Sequence, residues 1–167
     1  MITNFEGQYR FLSNFYPSPL EYEGEEYQTV EHAFQAAKTH DPVMREAIRG
    51  AATPGRAKQL GRVAELRQDW DGVRLTVMEE ILSIKFSDPK LKEALLATGK
   101  QTLIEGNTWK DKYWGAEWEA GEWVGENHLG KILMALRAQL AADGGTDAVE
   151  ATAESKTKRR SRKDQEV

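Results

Sequence analysis

The stretch DWDGVRLTVMEEILSIKFSD, residues 69–88, constrains the fold more than any other part of the chain. Its apolar residues recur at helical spacing through Val73, Val77, Ile81 and Ile84. Such a repeat predicts a long amphipathic helix with one buried side. Other elements must cover that side, so the stretch favours a domain built mainly from packed helices.

Start and stop signals predict further helices around this one. Thr29 is a helix N-cap before VEHAFQAAK, and we expect that helix to run to about His40, where HDP ends it. Thr53 followed by Pro54 marks another helix start. PVMREAIRGA, PKLKEALLATGK and NHLGKILMALRAQLAA are also helical by pattern.

Strand signals are fewer and lie mostly near the N-terminus. Residues 1–28 alternate aromatic residues with turn sequences, and Gly24 in YEGEEY predicts a hairpin connection. QTLIEGN, residues 101–107, also reads as a strand that leads into a loop. The tryptophan-rich and glycine-rich stretch after it is too polar for a plain core strand. The prediction is therefore a mainly α domain with a small N-terminal β element.

The composition changes sharply near residue 143. Residues 143–167 carry six acidic and six basic residues and almost no large apolar side chains, which leaves 17 basic and 21 acidic residues in 1–142. Such a segment cannot bury enough apolar surface to offset its ordering entropy. We predict a folded domain over 1–142 and a disordered tail over 143–167. The block KTKRRSRK either contacts nucleic acid or another acidic partner, or simply keeps the tail solvated.

Several classes of protein are excluded by residue types. The chain has no cysteine, and its three histidines are scattered, so no disulfide, thiol chemistry or His/Cys metal site is expected. It has no apolar run long enough to span a membrane and no secretory signal pattern at its start. We expect a cytoplasmic protein that needs neither metal nor cofactor and does not bind a membrane.

The helix that starts after Thr29 carries an unusual polar stripe. Glu31, Gln35 and Lys38 share one side of it at i, i+4 and i+7. An acid, an amide and an amine in line suit a binding or catalytic site. The same stripe is also compatible with an ordinary solvated helix face, and the residues alone do not decide between the two.

Other polar residues interrupt apolar surroundings in the same manner. They are Ser13 and Asn14 in FLSNFYPSP, Lys58 and Arg62 in AKQLGR, and Glu105 and Asp111 in LIEGNTWKDKYWG, where Asp111 lies between Trp109 and Trp114. Each also has a purely structural explanation. The first pair suits a turn, the second a solvated helix face, and the tryptophans a core.

Taken together and in order, these segments closely resemble the NADAR family, also called YbiA-like or DUF1768. The resemblance rests on FLSNFYPSP, TVEHAFQAAK, AKQLGR, LLATG, LIEGN and the final N.LG..LM..R, and it spans roughly residues 5–140. It implies a YbiA-like helical bundle with minor strand content. The family is linked to NAD and ADP-ribose metabolism.

The resemblance also implies a reaction class. Some members are N-glycosidases that cleave ribosylamine intermediates of riboflavin biosynthesis, and others remove ADP-ribose from modified guanine. Both hydrolyse a bond between nitrogen and the anomeric carbon of a phosphorylated ribose. The implied partner is therefore a phosphorylated ribosyl or ADP-ribosyl substrate, with ADP-ribosylated nucleic acid as a further candidate. A non-catalytic module that binds ADP-ribose or NAD is the alternative of another class.

The catalytic candidates follow from that chemistry. Cleavage of the C1′–N bond passes through an oxocarbenium-like state, which carboxylates stabilise. Glu31 is the first candidate, Glu105 the second and Asp111 the third. Lys38 either holds hydroxyls or phosphate as a cation, or attacks C1′ as an amine with a lowered pKa.

The binding candidates are carried over by motif position. Basic residues would bind phosphate, aromatic residues would stack on a base, and small polar residues would bind the sugar. They are Lys58, Arg62 and Arg74 for phosphate, Phe15, Trp109 and Trp114 for stacking, and Ser13, Asn14, His32 and Gln35 for other substrate contacts.

Overall fold

The structure, a computed structural model, describes residues 1–144. A 3₁₀ helix at Gly7–Leu12 comes first. The remaining elements are β1 (Leu20–Tyr22), β2 (Glu25–Tyr27), α1 (Val30–Ala37), α2 (Pro42–Arg49), α3 (Pro54–Val63), α4 (Trp70–Lys85), α5 (Pro89–Ala97), β3 (Glu117–Glu119), β4 (Glu122–Val124) and α6 (128–144).

Local sequence fixes where the helices begin. The Thr29 hydroxyl accepts a hydrogen bond from the His32 amide, and Thr53 does the same for Arg56. These contacts satisfy amides that have no partner inside the helix. Both predicted caps are confirmed. Helix α1 ends at Ala37, earlier than the predicted end near His40.

Helix α1 lies at the centre of the domain. It packs against α2, α3, α4 and β2, and all eight of its residues are buried. The interpretation of its polar stripe as a solvated face is therefore wrong for Glu31 and Gln35. The predicted long helix is confirmed as α4, whose fully buried Ile81 and Leu82 form part of the same core.

The strands form two separate two-stranded antiparallel hairpins. The predicted hairpin is β1–β2, with Glu23 and Gly24 at positive φ in its turn. The hairpin β3–β4 was not predicted, because its strands are short and largely exposed. Trp118 and Trp123 are opposite each other in it. Residues 101–107 form isolated bridges, Ile2 to Leu103 and Gly106 to Ala116, and not the predicted strand.

Helix α6 closes the domain, with Leu129 and Leu133 fully buried. Residues 143 and 144, predicted to begin the tail, continue this helix, and the rest of the predicted disordered tail lies outside the described residues. Within 1–144, no helix combines the length and apolar character needed to cross a bilayer.

Candidate active site

One cavity of about 220 Å³ brings together residues from five separate parts of the chain. Eleven of the fourteen predicted site residues form its wall, together with Phe34 and Met78. The eleven are Ser13, Asn14, Phe15, Glu31, Gln35, Lys38, Lys58, Glu105, Trp109, Asp111 and Trp114. A larger groove of about 790 Å³ beside α4 and α6 has carboxylates in its wall but no lysine or arginine, so the smaller cavity is the better candidate.

Helix α1 supplies a buried acid and an amine. The Gln35 side-chain amide donates a 2.7 Å hydrogen bond to Glu31 Oε1, and Glu31 is only 6% exposed. Burial raises the pKa of Glu31, while the Gln35 hydrogen bond and the charges of Lys58 and Lys38 oppose that rise. Burial lowers the pKa of Lys38, and the Glu31 charge opposes that change. The pKa values of the Glu31 carboxyl and the Lys38 amine are thus both shifted toward neutral pH, where such groups can exchange protons.

Asn14 covers the start of α1 from the loop before β1. Its backbone oxygen accepts from the Glu31 amide at 3.1 Å, and its Nδ2 points at Met78 Sδ, 3.6 Å away. Among the described residues, Asn14 Oδ1 and Gln35 Oε1 are buried without a hydrogen-bond partner. Unpaired buried acceptors are costly and uncommon. They mark this wall as a place where the protein lacks internal hydrogen-bond partners.

The second buried carboxyl, that of Glu105, comes from the segment between α5 and β3. Its backbone is fixed on both sides, since Glu105 N donates to Asn127 Oδ1 and Glu105 O accepts from the Ala116 amide, both at 3.0 Å. Burial, and then the negative charges of Asp111 and Glu31, raise the pKa of Glu105 to about 8. This carboxyl is therefore mostly protonated at neutral pH.

Asp111 has a structural role within the cavity wall. Its Oδ1 accepts from the amides of Tyr113 and Trp114 at 3.2 and 2.9 Å, and Asn107 holds its backbone on both sides. These bonds fix the turn that places Trp114. The ring of Trp114 meets Phe34 edge-on at 5.2 Å.

The outer part of the cavity is aromatic and basic. Trp109 is 62% exposed, and Phe15 is also exposed. Lys58 Nζ lies 6.0 Å from the centre of the Phe15 ring. Ser13 turns the chain here, with its hydroxyl accepting from the Phe15 amide at 3.1 Å, and Lys85 Nζ donates to Ser13 O at 2.9 Å from the core side.

Three predicted site residues lie outside the wall. His32 is fully buried, and its ring nitrogens are hydrogen-bonded to Thr29 Oγ1 and Ala51 O, so it connects α1 to the loop before α3. The Arg74 guanidinium stacks on the Tyr113 ring at 3.8 Å. The expectation that His32 contacts substrate is corrected, because both of its ring nitrogens are bonded within the protein. Arg74 is only partly buried and stays a predicted phosphate contact.

Arg62 is exposed near the end of α3. It does not form part of the cavity wall, but its positive charge contributes to the lowered pKa of Lys38. It therefore remains a predicted phosphate contact that acts from outside the wall.

Phe34 and Met78 line the cavity but were not predicted as site residues. Positions 31, 34, 35 and 38 fall on one helix face, so helical spacing could have identified Phe34. Met78 is an apolar residue in α4, and no signal in the sequence distinguishes it from its apolar neighbours.

The cavity thus holds two carboxyls with raised pKa values, a lysine with a lowered pKa, a second lysine and the exposed rings of Phe15 and Trp109. Pairs of groups with shifted pKa values are typical of acid–base chemistry. Within residues 1–144, no cluster of His, Cys, Asp or Glu has the size needed to hold a metal ion.

Comparison with known proteins gives consistent matches over the described part of the chain. The family profile described as "NADAR domain" matches residues 3–141. "N-glycosidase YbiA" of Escherichia coli is 40% identical over 138 residues, which cover 81% of this chain and 84% of that protein. "Riboflavin biosynthesis protein VVA0006" of Vibrio vulnificus is 37% identical over 133 residues, covering 78% of this chain and 35% of that protein.

A solved structure is also similar. The NMR structure of the E. coli protein YbiA matches with a TM-score of 0.73 and 39% sequence identity. The match covers 86% of this chain and 87% of that chain. The fold described above is therefore similar to that of this related protein over most of both chains.

Proposed function

The chain belongs to the NADAR domain family, and from this premise we propose that it is an N-glycosidase that hydrolyses the C1′–N bond of a phosphorylated ribose or ADP-ribose attached to a base or amine. Relatives that are 38–40% identical to this chain over 138 residues carry the name N-glycosidase. The observation that supports the proposal best is the grouping of Glu31, Glu105 and Lys38 in one small cavity.

The first step requires a proton for the leaving nitrogen. Glu105, with its pKa raised to about 8, holds that proton at neutral pH. As the C1′–N bond breaks, its electron pair goes to nitrogen and the Glu105 proton follows. A group whose pKa lies near the working pH is suited to such a transfer.

The second step requires negative charge near C1′ and a base for the attacking water. Gln35, Lys58 and Lys38 favour the ionised form of Glu31 against the effect of burial. An ionised Glu31 stabilises the oxocarbenium-like state and takes a proton from the water that adds to C1′. This is the role that carboxylates have in other glycosidases.

Lys38 has two alternative roles in this scheme. As a cation it holds substrate phosphate or hydroxyls together with Lys58. As a neutral amine it attacks C1′ and expels the nitrogen base; the sugar ring then opens to an imine, which water hydrolyses. Its lowered pKa supports the second role, and its place beside Glu31 supports both.

The aromatic mouth suits the nitrogen-bearing part of the substrate. Phe15, Trp109 and Trp114 offer ring faces or edges at the end of the cavity. Stacking of a base on an aromatic side chain is typically worth about 1–3 kcal/mol.

Two alternatives remain distinct from an ADP-ribosyl substrate. A ribosylamine intermediate of riboflavin biosynthesis is favoured by the relatives named riboflavin biosynthesis proteins. A non-catalytic ADP-ribose or NAD module would need the same cavity but no shifted acid.

A single assay separates these possibilities. Purified protein is incubated with ADP-ribosylated guanosine, with ADP-ribosylated DNA and with the riboflavin ribosylamine intermediates, and release of the free base is measured. Release from at least one of them, lost in Glu31→Gln and retained in Glu93→Gln on the exposed side of α5, supports the proposal. Binding of ADP-ribose without release from any substrate would favour the module.

A further inference from the structure

The side chain of Gln35 lies against the backbone of α3 at Gly61. A Cβ atom built on Gly61 would stand 1.9 Å from Gln35 Oε1 and 2.8 Å from Gln35 Cδ. No real pair of atoms tolerates such distances. Gln35 also lines the cavity, so a Cβ at position 61 would push its amide away from α3 and toward that space.

Backbone conformation does not explain a glycine at position 61. Gly61 is buried within helix α3 and is not among the glycines with positive φ. Glycine in the middle of a helix weakens it relative to alanine. Nothing in the geometry of α3 requires this residue, and the space that it leaves is filled by Gln35.

The hydrogen bond to Glu31 selects one orientation of the Gln35 amide, and the amide fits there because position 61 has no Cβ. With Oε1 against Gly61, Nε2 faces Glu31 and donates the 2.7 Å hydrogen bond. The reversed amide would place its oxygen beside the Glu31 carboxylate, where two acceptors face each other. The orientation observed is therefore the one that holds Glu31 in place.

We propose that Gly61 is a positioning residue for the acid: the space beside its Cα holds the Gln35 amide in the orientation that fixes and hydrogen-bonds Glu31. The proposal rests on the proposed function only where it concerns turnover. Gly61 itself touches no substrate in this scheme.

The test compares Gly61→Ala with Gly55→Ala in the same helix. A Cβ on Gly55 would meet nothing closer than Thr53 Oγ1 at 3.9 Å. We expect Gly61→Ala to lower kcat about 10–100-fold, the scale of a catalytic group displaced by about 1 Å. Gly55→Ala should change kcat less than twofold. Equal kcat values in the two variants would overturn the proposal.

The double variant Gln35→Ala/Gly61→Ala distinguishes an effect on the position of Gln35 from a general disturbance of the fold. In Gln35→Ala the amide is gone, and the closest remaining atom to the new Cβ at position 61 is the Cβ of residue 35, at 3.2 Å. Adding Gly61→Ala to Gln35→Ala should therefore cause less than a twofold further loss of kcat. A further loss as large as that of Gly61→Ala in the wild-type background would show that position 61 acts through something other than Gln35.

A measurement without substrate keeps this inference separate from the proposed function. The Glu31 carboxyl is titrated by carbon-13 NMR in the wild type, Gly61→Ala and Gly55→Ala. Loss of the Gln35 hydrogen bond should raise the pKa of Glu31 in Gly61→Ala alone. If it does while the wild type cleaves no N-ribosyl substrate, the positioning role stands and the N-glycosidase assignment fails. An unchanged titration in Gly61→Ala would refute the positioning role.

Discussion

The protonated carboxyl of Glu105 should make the stability of the protein depend on pH, and Glu105→Gln should remove that dependence. The pKa of Glu105 rises from 4.5 to about 8 on folding. Between those values the folded state binds more protons than the unfolded state. The contribution is fully present below pH 4.5, declines as pH rises and is lost above pH 8.

The size of the effect follows from the shift. One pKa unit corresponds to about 1.4 kcal/mol, so the Glu105 contribution changes by roughly 5 kcal/mol between pH 4.5 and pH 8. That is a large share of the total stability of a domain of this size. The carbonyl of a glutamine at position 105 needs no proton, so the variant loses this slope.

Urea unfolding at half-unit steps from pH 4.5 to 9 measures the effect. The difference in free energy of unfolding between wild type and Glu105→Gln isolates Glu105 from the other titrating groups. The exposed Glu93→Gln on α5 is the matched control and should keep the wild-type slope. Parallel curves for wild type and Glu105→Gln would refute the reasoning, since Glu105 would then ionise as in the unfolded chain.

Three further predictions follow from the same cavity and its support. Glu31→Gln keeps an oxygen that accepts the Gln35 hydrogen bond but removes the negative charge, so kcat should fall about 10²-fold or more while the substrate affinity measured by calorimetry changes little. An unchanged kcat would show that Glu31 has no part in the mechanism. If the Lys38 amine attacks C1′, Lys38→Arg should be nearly inactive, and borohydride should trap a covalent adduct on the wild type only. Partial activity of Lys38→Arg with a raised KM, and no trapped adduct on the wild type, would assign Lys38 to substrate binding. Burial lowers the pKa of Lys85 to about 7, so its contribution makes stability rise with pH between about 7 and 10.5. In Lys85→Met the melting temperature should therefore rise less steeply with pH over that range, and a slope equal to that of the wild type would contradict this.

Lys85 also shows how the site depends on groups that never touch it. Its ammonium donates to Ser13 O from a position that is only 2% exposed, and the next residue, Asn14, accepts from the Glu31 amide. The wall of the cavity is therefore connected to α4 by a buried polar contact. Sequence patterns gave no indication of this, because Lys85 reads as an ordinary helix-end lysine.

The parts of the fold that local chemistry controls were predictable. Thr29 and Thr53 begin helices because their hydroxyls satisfy amides within the same few residues, and Pro54 suits the first helical position. Such signals act over one turn and need no information from the rest of the chain. The β3–β4 hairpin was missed because its strands are three residues long and largely exposed, so no buried alternation marks them.

The identity of the site residues was predictable only through the family resemblance. Composition and spacing left Glu31 and Gln35 as either a site or a solvated face. The structure shows that both are buried, because α1 packs against α2, α3, α4 and β2. His32, the residue after Glu31, is also buried but is not part of the site, because its ring nitrogens are hydrogen-bonded to Thr29 and Ala51.

By itself, therefore, the sequence determined the helices and where α1 and α3 begin, because helix caps and amphipathic repeats act between residues close in the chain. Only the tertiary structure decided which polar groups meet. Glu105 and Glu31 line the same cavity although they are more than seventy residues apart in the sequence, and Asn127 holds the backbone at Glu105. The pKa of each carboxyl depends on the burial that this packing produces. Burial and charge at that distance are properties of the packed chain, and no local pattern encodes them.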